Sequence, residues 1–125
     1  MSVFLSPSSK TATMPISTQA TQAIRQVLIV DDSRAQRMLV EAGLRDRGFA
    51  VHHAASGDEA LKICAHHHID LVLSDWMMPG MTGIEFCREL RAQPSERYIY
   101  FILLTSKTDK GAVAEGLDVG ADDFL

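Results

Sequence analysis

The stretch LVLSDWMMPGMTG, running from Leu71 to Gly83, decides how this chain is read. Its first half is apolar, as in a strand buried inside a sheet. It then meets one aspartate, Asp75, followed by Trp76, Met77 and Met78 and a turn built from proline and glycines. A solvent-facing loop has no need of that composition. Two other apolar runs end in a comparable way. VLIV, Val27 to Val30, is continuous and β-branched, the pattern of a strand covered on both faces, and runs into Asp31 and Asp32. IYFILLT, Ile99 to Thr105, ends in the hydroxyl of Thr105.

Between these runs the apolar period changes from strand to helix. Ala35, Met38, Leu39 and Ala42 fall at i, i+3, i+4 and i+7 and predict a helix stopping near Gly48. FAVHHA, Phe49 to Ala54, reads as a short strand, and a helix from about Asp58 turns Ala60, Leu61 and Cys64 inward. DLVLSD, Asp70 to Asp75, is the third strand, and Ile84, Cys87 and Leu90 mark the next helix. After the fourth strand, Val113 and Leu117 predict a fourth helix ended by Gly120, and DDFL opens a fifth strand. Strands alternating with helices at this spacing imply βαβ units and a doubly wound, flavodoxin-like α/β fold with a parallel sheet.

Such open sheets bind ligands outside the carboxyl ends of their strands, where the strand order reverses. In the order 2-1-3-4-5, strands one, three and four are neighbours, so Asp31, Asp32, Asp75 and Thr105 are expected in one crevice. Three carboxylates there repel by about 3 kcal/mol per pair at ~5 Å and an effective dielectric of ~20. A hard divalent cation with oxygen ligands offsets this, and Mg²⁺ suits an open rim that also receives a phosphate. The expected chemistry is a carboxylate nucleophile, Asp75, accepting a phosphoryl group with metal help, with Thr105 as a hydroxyl donor beside it.

The totals bound the alternatives. With 125 residues, 46% hydrophobic, the chain has the profile of one globular domain with a real core. A formal charge of -4 argues against a nucleic-acid surface, no stretch reaches membrane-spanning length, and no secretory signal opens the chain, which therefore reads as soluble and cytoplasmic. Residues 1–23 hold nine Ser or Thr, two prolines and one charge, Lys10, and are expected to be a flexible leader outside the domain that starts at Ile24. Cys64 and Cys87 share no metal-binding or redox spacing and read as reduced core residues.

The histidines and methionines have simpler readings than metal sites. His66, His67 and His68 point about 100° apart on a helix and read as an exposed helix end; His52 and His53 point to opposite faces of their strand. Met77, Met78 and Met81 fill an irregular turn. Taken one at a time, the aspartates could be helix caps; their convergence is what argues against it.

The motifs LIVDDS, AASGDEAL, LVLSDWMMPGMTG, FILLTS and GADDFL, in this order from Gln26 to Leu125, resemble the receiver domain of bacterial two-component response regulators. The resemblance implies that Asp75 accepts a phosphoryl group from the phosphohistidine of a sensor histidine kinase or phosphotransfer protein. Asp32 is then the direct Mg²⁺ ligand, Asp31 acts through water, and the Met77 backbone carbonyl completes the protein ligands. Thr105 and Phe124 are the switch pair, Pro79 and Gly83 shape the loop after the nucleophile, and Met77 with Lys107 tune how long the phosphoryl group lasts. The domain would catalyse only its own phosphorylation and dephosphorylation, and many such domains precede an effector domain. The family also places a lysine, usually followed by proline, two residues beyond the position of Leu125, and then a fifth helix. The 125-residue chain is thus expected to be a truncated receiver with strand five incomplete, compromised in switching. Its uncovered apolar flank is expected to favour dimerisation, strand exchange or aggregation, a homodimer among them.

Other function classes fit less well. A haloacid dehalogenase-like phosphotransfer hydrolase wants a second acid two residues after the nucleophile, where Met77 stands. A nucleotide-binding module wants a glycine-rich turn where VDDSRA stands. A non-phosphorylated structural or dimerisation domain remains the alternative to a phosphoacceptor switch.

Overall fold

The computed structural model describes residues 23–95, 97–104 and 118–125; residues 1–22 of the expected leader, Thr105, Lys107, Val113 and Leu117 lie outside the described residues. Within them, strands β1 (Gln26–Val30), β2 (Ala50–Ala54), β3 (Leu71–Asp75), β4 (Tyr100–Leu104) and β5 (Asp123–Phe124) form one sheet in the order β2-β1-β3-β4-β5. Every pairing is parallel. Helices α1 (Arg34–Asp46), α2 (Gly57–His66) and α3 (Gly83–Ala92) make the first three crossovers. This is the expected doubly wound order, with its reversal point between β1 and β3.

The continuous apolar composition of β1 has its cause in the sheet. Leu28 and Val30 face α2 and α3 together with Val72, Phe101 and Leu103, while Val27 and Ile29 face the other side, and all four β1 residues are buried. The centre of the first face is the Phe86 ring of α3 against Phe101 of β4, centroids 5.2 Å apart. Ile84, Cys87 and Leu90 are buried beside it, as their spacing predicts. Both cysteines are free thiols, and burial pushes each up to about 11, which leaves them protonated and inert.

Each helix start is set by a local side-chain bond. Ser33, Ser56 and Thr82 cap α1, α2 and α3 by accepting from the backbone N–H three residues on, and Glu85 returns the bond to Thr82, closing a capping box. The chain leaves α1 through Gly48, whose φ of 88° is in the left-handed region.

The α1 helix lies where its period predicts, but its apolar stripe does not meet the sheet. Met38 and Leu39 are exposed, Leu39 by 71%, and Ala35 and Ala42 are exposed with them. Two polar residues turn the other face inward. Buried Glu41 accepts from Arg45 and bonds His53 of β2 at 2.7 Å, and Arg37 donates to the Asp31 carbonyl at 2.5 Å. The Arg45 guanidinium, then His53, hold the Glu41 carboxyl below its ordinary range.

At the far edge, Arg91 near the end of α3 ties the sheet to the approach of β5. Its Nε donates to the Gly120 carbonyl at 3.0 Å, Nη1 to the Ile99 carbonyl at 2.7 Å and Nη2 to Asp122 at 3.1 Å. Asp122 also accepts from the Phe101 N–H at 2.8 Å and from the Tyr98 hydroxyl, whose ring lies under the guanidinium. None of this could be read from period or motif.

Two substitutions test the fold. A Cβ on Gly83 would stand 2.3 Å from the Asp75 carbonyl oxygen, whereas one on Gly43 of α1 would meet nothing within 4 Å. Gly83→Ala is expected to lose about 1–3 kcal/mol and Gly43→Ala to gain about 0.5–1 kcal/mol in urea unfolding. Arg91→Met, which strips donors from the Gly120 and Ile99 carbonyls, is expected to cost about 1–3 kcal/mol in the same assay.

Candidate functional site

Because β1 and β3 are parallel neighbours in register from Val27↔Leu71 to Val30↔Ser74, both chains leave the sheet at the same end and level. Asp75, the last residue of β3, therefore lies beside Asp31 and Asp32, which follow β1. One carboxylate oxygen from each of the three falls within 4.8 Å of the others, and this is the sole cluster of three or more His, Cys, Asp or Glu so placed among the described residues. The cleft they open has a volume of about 460 Å³ and is also lined by Ser33, Gln36, Leu104 and Leu125.

The three acids differ in environment. Asp31 is buried and anchored: its N–H donates to the Ala54 carbonyl at 3.1 Å and its Oδ1 accepts from the Ser33 N–H at 2.9 Å. Asp32 is exposed. Asp75 is half-buried, and its Oδ1 accepts from the Trp76 N–H at 2.8 Å. Burial, then the charge of Asp31 and more weakly that of Asp32, push the Asp75 carboxyl above its ordinary value, against the Trp76 and Met77 N–H groups. An oxygen-only donor set with one exposed side suits a hard divalent cation and offers nothing to a soft one.

The loop after Asp75 holds that carboxylate by its first N–H groups and is closed on itself further on. The Gly83 N–H donates to the Trp76 carbonyl at 2.8 Å, closing the loop, and Gly80 turns it with a φ of 80°. Met78 is buried in the core and Met81 lies against Gly57 at the start of α2, so two of the three methionines fill the turn, while Met77 is exposed at the rim. Trp76 is partly buried, with its ring centroid 6.2 Å from that of Phe124, which sits beside β4 in register with Leu103. A continuous path of side chains thus runs from the residue after Asp75 to β5.

Asp31, Asp32 and Asp75 come together as the strand-end argument predicts, Met77 lies in the loop that follows Asp75, and the Phe124 ring lies 6.2 Å from that of Trp76. Thr105 and Lys107 lie outside the described residues. Two contributors had no signal in the pattern. Arg37 holds the β1–α1 turn through the Asp31 carbonyl, and Gln36 lines the cleft from the first turn of α1.

Comparison with known proteins agrees with this geometry. The family model of the response regulator receiver domain matches residues 27–125. Response regulator PleD of Caulobacter vibrioides is 40% identical over 100 residues, 80% of this chain and 22% of PleD. The phosphate regulon transcriptional regulatory protein PhoB of Rhizobium meliloti is 36% identical over 100 residues, 80% of this chain and 44% of PhoB. The chain thus spans less than half the length of these curated relatives. Among solved structures, the Vibrio cholerae chemotaxis protein CheY4 superposes with a TM-score of 0.77 at 39% identity, covering 82% of this chain and 86% of that one. The match runs through both strand ends that carry the acid cleft, and the chain belongs to the response regulator receiver domain family.

Proposed function

We propose that this domain is a phosphoacceptor switch in which an Asp75 carboxylate oxygen takes a phosphoryl group from the phosphohistidine of a sensor kinase or phosphotransfer protein. The observation that carries this reading is the convergence of Asp31, Asp32 and Asp75 within 4.8 Å at the reversal point of the sheet. The Asp75 oxygen attacks phosphorus, the O–P bond forms as the N–P bond of the donor breaks, and the leaving imidazole nitrogen takes up a proton. Asp32, Asp31, Asp75 and the Met77 carbonyl are the groups that would hold Mg²⁺, which when bound neutralises charge on the incoming phosphoryl oxygens.

The remaining roles are part of the same reading. The new charge of about -1.5 to -2 draws Thr105 inward, Phe124 follows, and the signal passes to the outer face beside β5. The Trp76 and Phe124 rings, already in one another's neighbourhood, support that route. Met77 at the rim and Lys107 set the lifetime of the phosphoryl group by controlling access to it. Output runs through an effector segment or partner in the cytoplasm; the similar PhoB is, by its name, a transcriptional regulatory protein.

The direct test follows Trp76 fluorescence through a Mg²⁺ titration, then intact mass after adding a small acyl phosphate. One added phosphoryl group, dependent on Mg²⁺ and lost in Asp75→Asn, is the expected result; equal labelling of that variant would overturn the assignment. Asp32→Asn is expected to weaken the Mg²⁺ response by tenfold or more.

The electrostatics of the cleft give a second, independent expectation. A carboxyl raised in the folded state binds its proton more tightly than in the unfolded chain, so the stability it allows is complete below about pH 3.8 and is lost as pH rises through the folded-state value. Without Mg²⁺, Asp75→Asn should therefore raise the Tm by a few degrees at pH 7, with the gain vanishing toward pH 3.

A further inference from the structure

A second cleft, of about 470 Å³, lies at the other end of the sheet, where β1 and β3 begin, and its walls include Gln26, His52, His67, His68, Asp70 and Arg97. It brings together histidines that belong to separate elements. His52 projects from β2, and His67 is the residue that ends α2, held by its own N–H to the Ile63 carbonyl at 2.8 Å. Their ring centroids are 5.5 Å apart with the planes tilted by 43°. Two imidazoles bound to one tetrahedral ion through metal–nitrogen bonds of about 2.0–2.1 Å have centroids about 5 Å apart. The ring separation of the pair is therefore close to that of two imidazoles on one ion.

The surroundings favour a cation ligand in two further ways. His52 Nε2 lies 2.8 Å from Gln26 Oε1, an acceptor, so Nε2 carries the proton and Nδ1 keeps its lone pair. An outer hydrogen bond of this kind orients a metal-binding imidazole. No hydrogen bond to another side chain engages the His67 ring among the described residues, and the residue is exposed. Of the two guanidiniums in the walls, Arg97 donates through Nη2 to Asp70 at 2.6 Å, the same carboxylate takes His68 at 3.2 Å, and Arg25 stands beside them.

We propose that His52 and His67 form a binding site for a borderline divalent transition metal of the Zn²⁺ or Ni²⁺ class, with water in the remaining positions. Nitrogen ligands separate it from the oxygen-only acid cleft, which selects a hard cation. A bound ion would pin β2 to the segment that leads into β3, whose far end is Asp75. This site does not rest on the phosphoacceptor reading.

The test is calorimetric titration of the full, tag-free chain with Zn²⁺ and with Ni²⁺ in saturating Mg²⁺, which occupies the acid cleft. One ion per chain is expected. His52→Gln and His67→Gln should each weaken binding by about tenfold or more, Gln26→Ala by about tenfold, and His66→Gln not at all. Imidazole NMR signals of His52 and His67 should shift together during the titration. His67 is exposed, so His67→Gln keeps the test decisive even where a change at His52 disturbs folding. Absence of binding, or an affinity indifferent to His67→Gln, overturns the site.

Discussion

The repulsion among Asp31, Asp32 and Asp75 is the constraint around which the rest of this structure is arranged. Held within 4.8 Å of one another, these groups oppose folding at neutral pH by about 3 kcal/mol per fully ionised pair at an effective dielectric of ~20. They stay together because the strands that end in them are the best buried in the molecule. Val27, Leu28, Ile29 and Val30 are almost wholly removed from solvent, and β3 is hydrogen-bonded to β1 and β4 on its two edges. At about 1.5–3 kcal/mol per fully buried aliphatic side chain, β1 alone outweighs one such pair. The cost is thus concentrated at one site and met by packing elsewhere.

Smaller devices keep that site in shape. Gly83 lets α3 begin against the backbone of Asp75, where any side chain would collide with the Asp75 carbonyl. Asp31 spends one carboxylate oxygen on the Ser33 N–H and leaves the other for the cleft. At the far edge, Arg91 and Asp122 join α3, β4 and the approach to β5, so the strand that carries Phe124 is tied to the helix that follows Asp75. The Trp76 and Phe124 rings, with centroids 6.2 Å apart, give a second link between the loop after Asp75 and β5.

The first helix has a divided character. Its polar residues Arg37 and Glu41 make the contacts to the Asp31 turn and to His53, and its apolar residues Met38 and Leu39 are exposed. A helix oriented by two polar bonds is positioned more specifically than one held by apolar area alone, because a rotation about its axis breaks both. The opposite end of the sheet is likewise organised by polar groups: Asp70 accepts from the Arg25 and Gln26 N–H groups and from Arg97, which sets the level at which β1 and β3 begin.

Local pattern was enough to reveal the strand order, the first three helices, the parallel sheet and the three acids at its reversal point. Those properties follow from the period of apolar residues and from the direction in which a parallel strand must leave a sheet, and both are written along the chain. The stripe of Ala35, Met38, Leu39 and Ala42 located α1 but not its inward side, since period reports where apolar residues line up and not which polar bonds compete to face the sheet. His52 and His67 were legible as strand and helix-end residues, not as neighbours; nor was the Arg91 and Asp122 clamp visible. Those pairings join residues 15 and 31 positions apart, and only the packing of separate elements decides which side chains then meet.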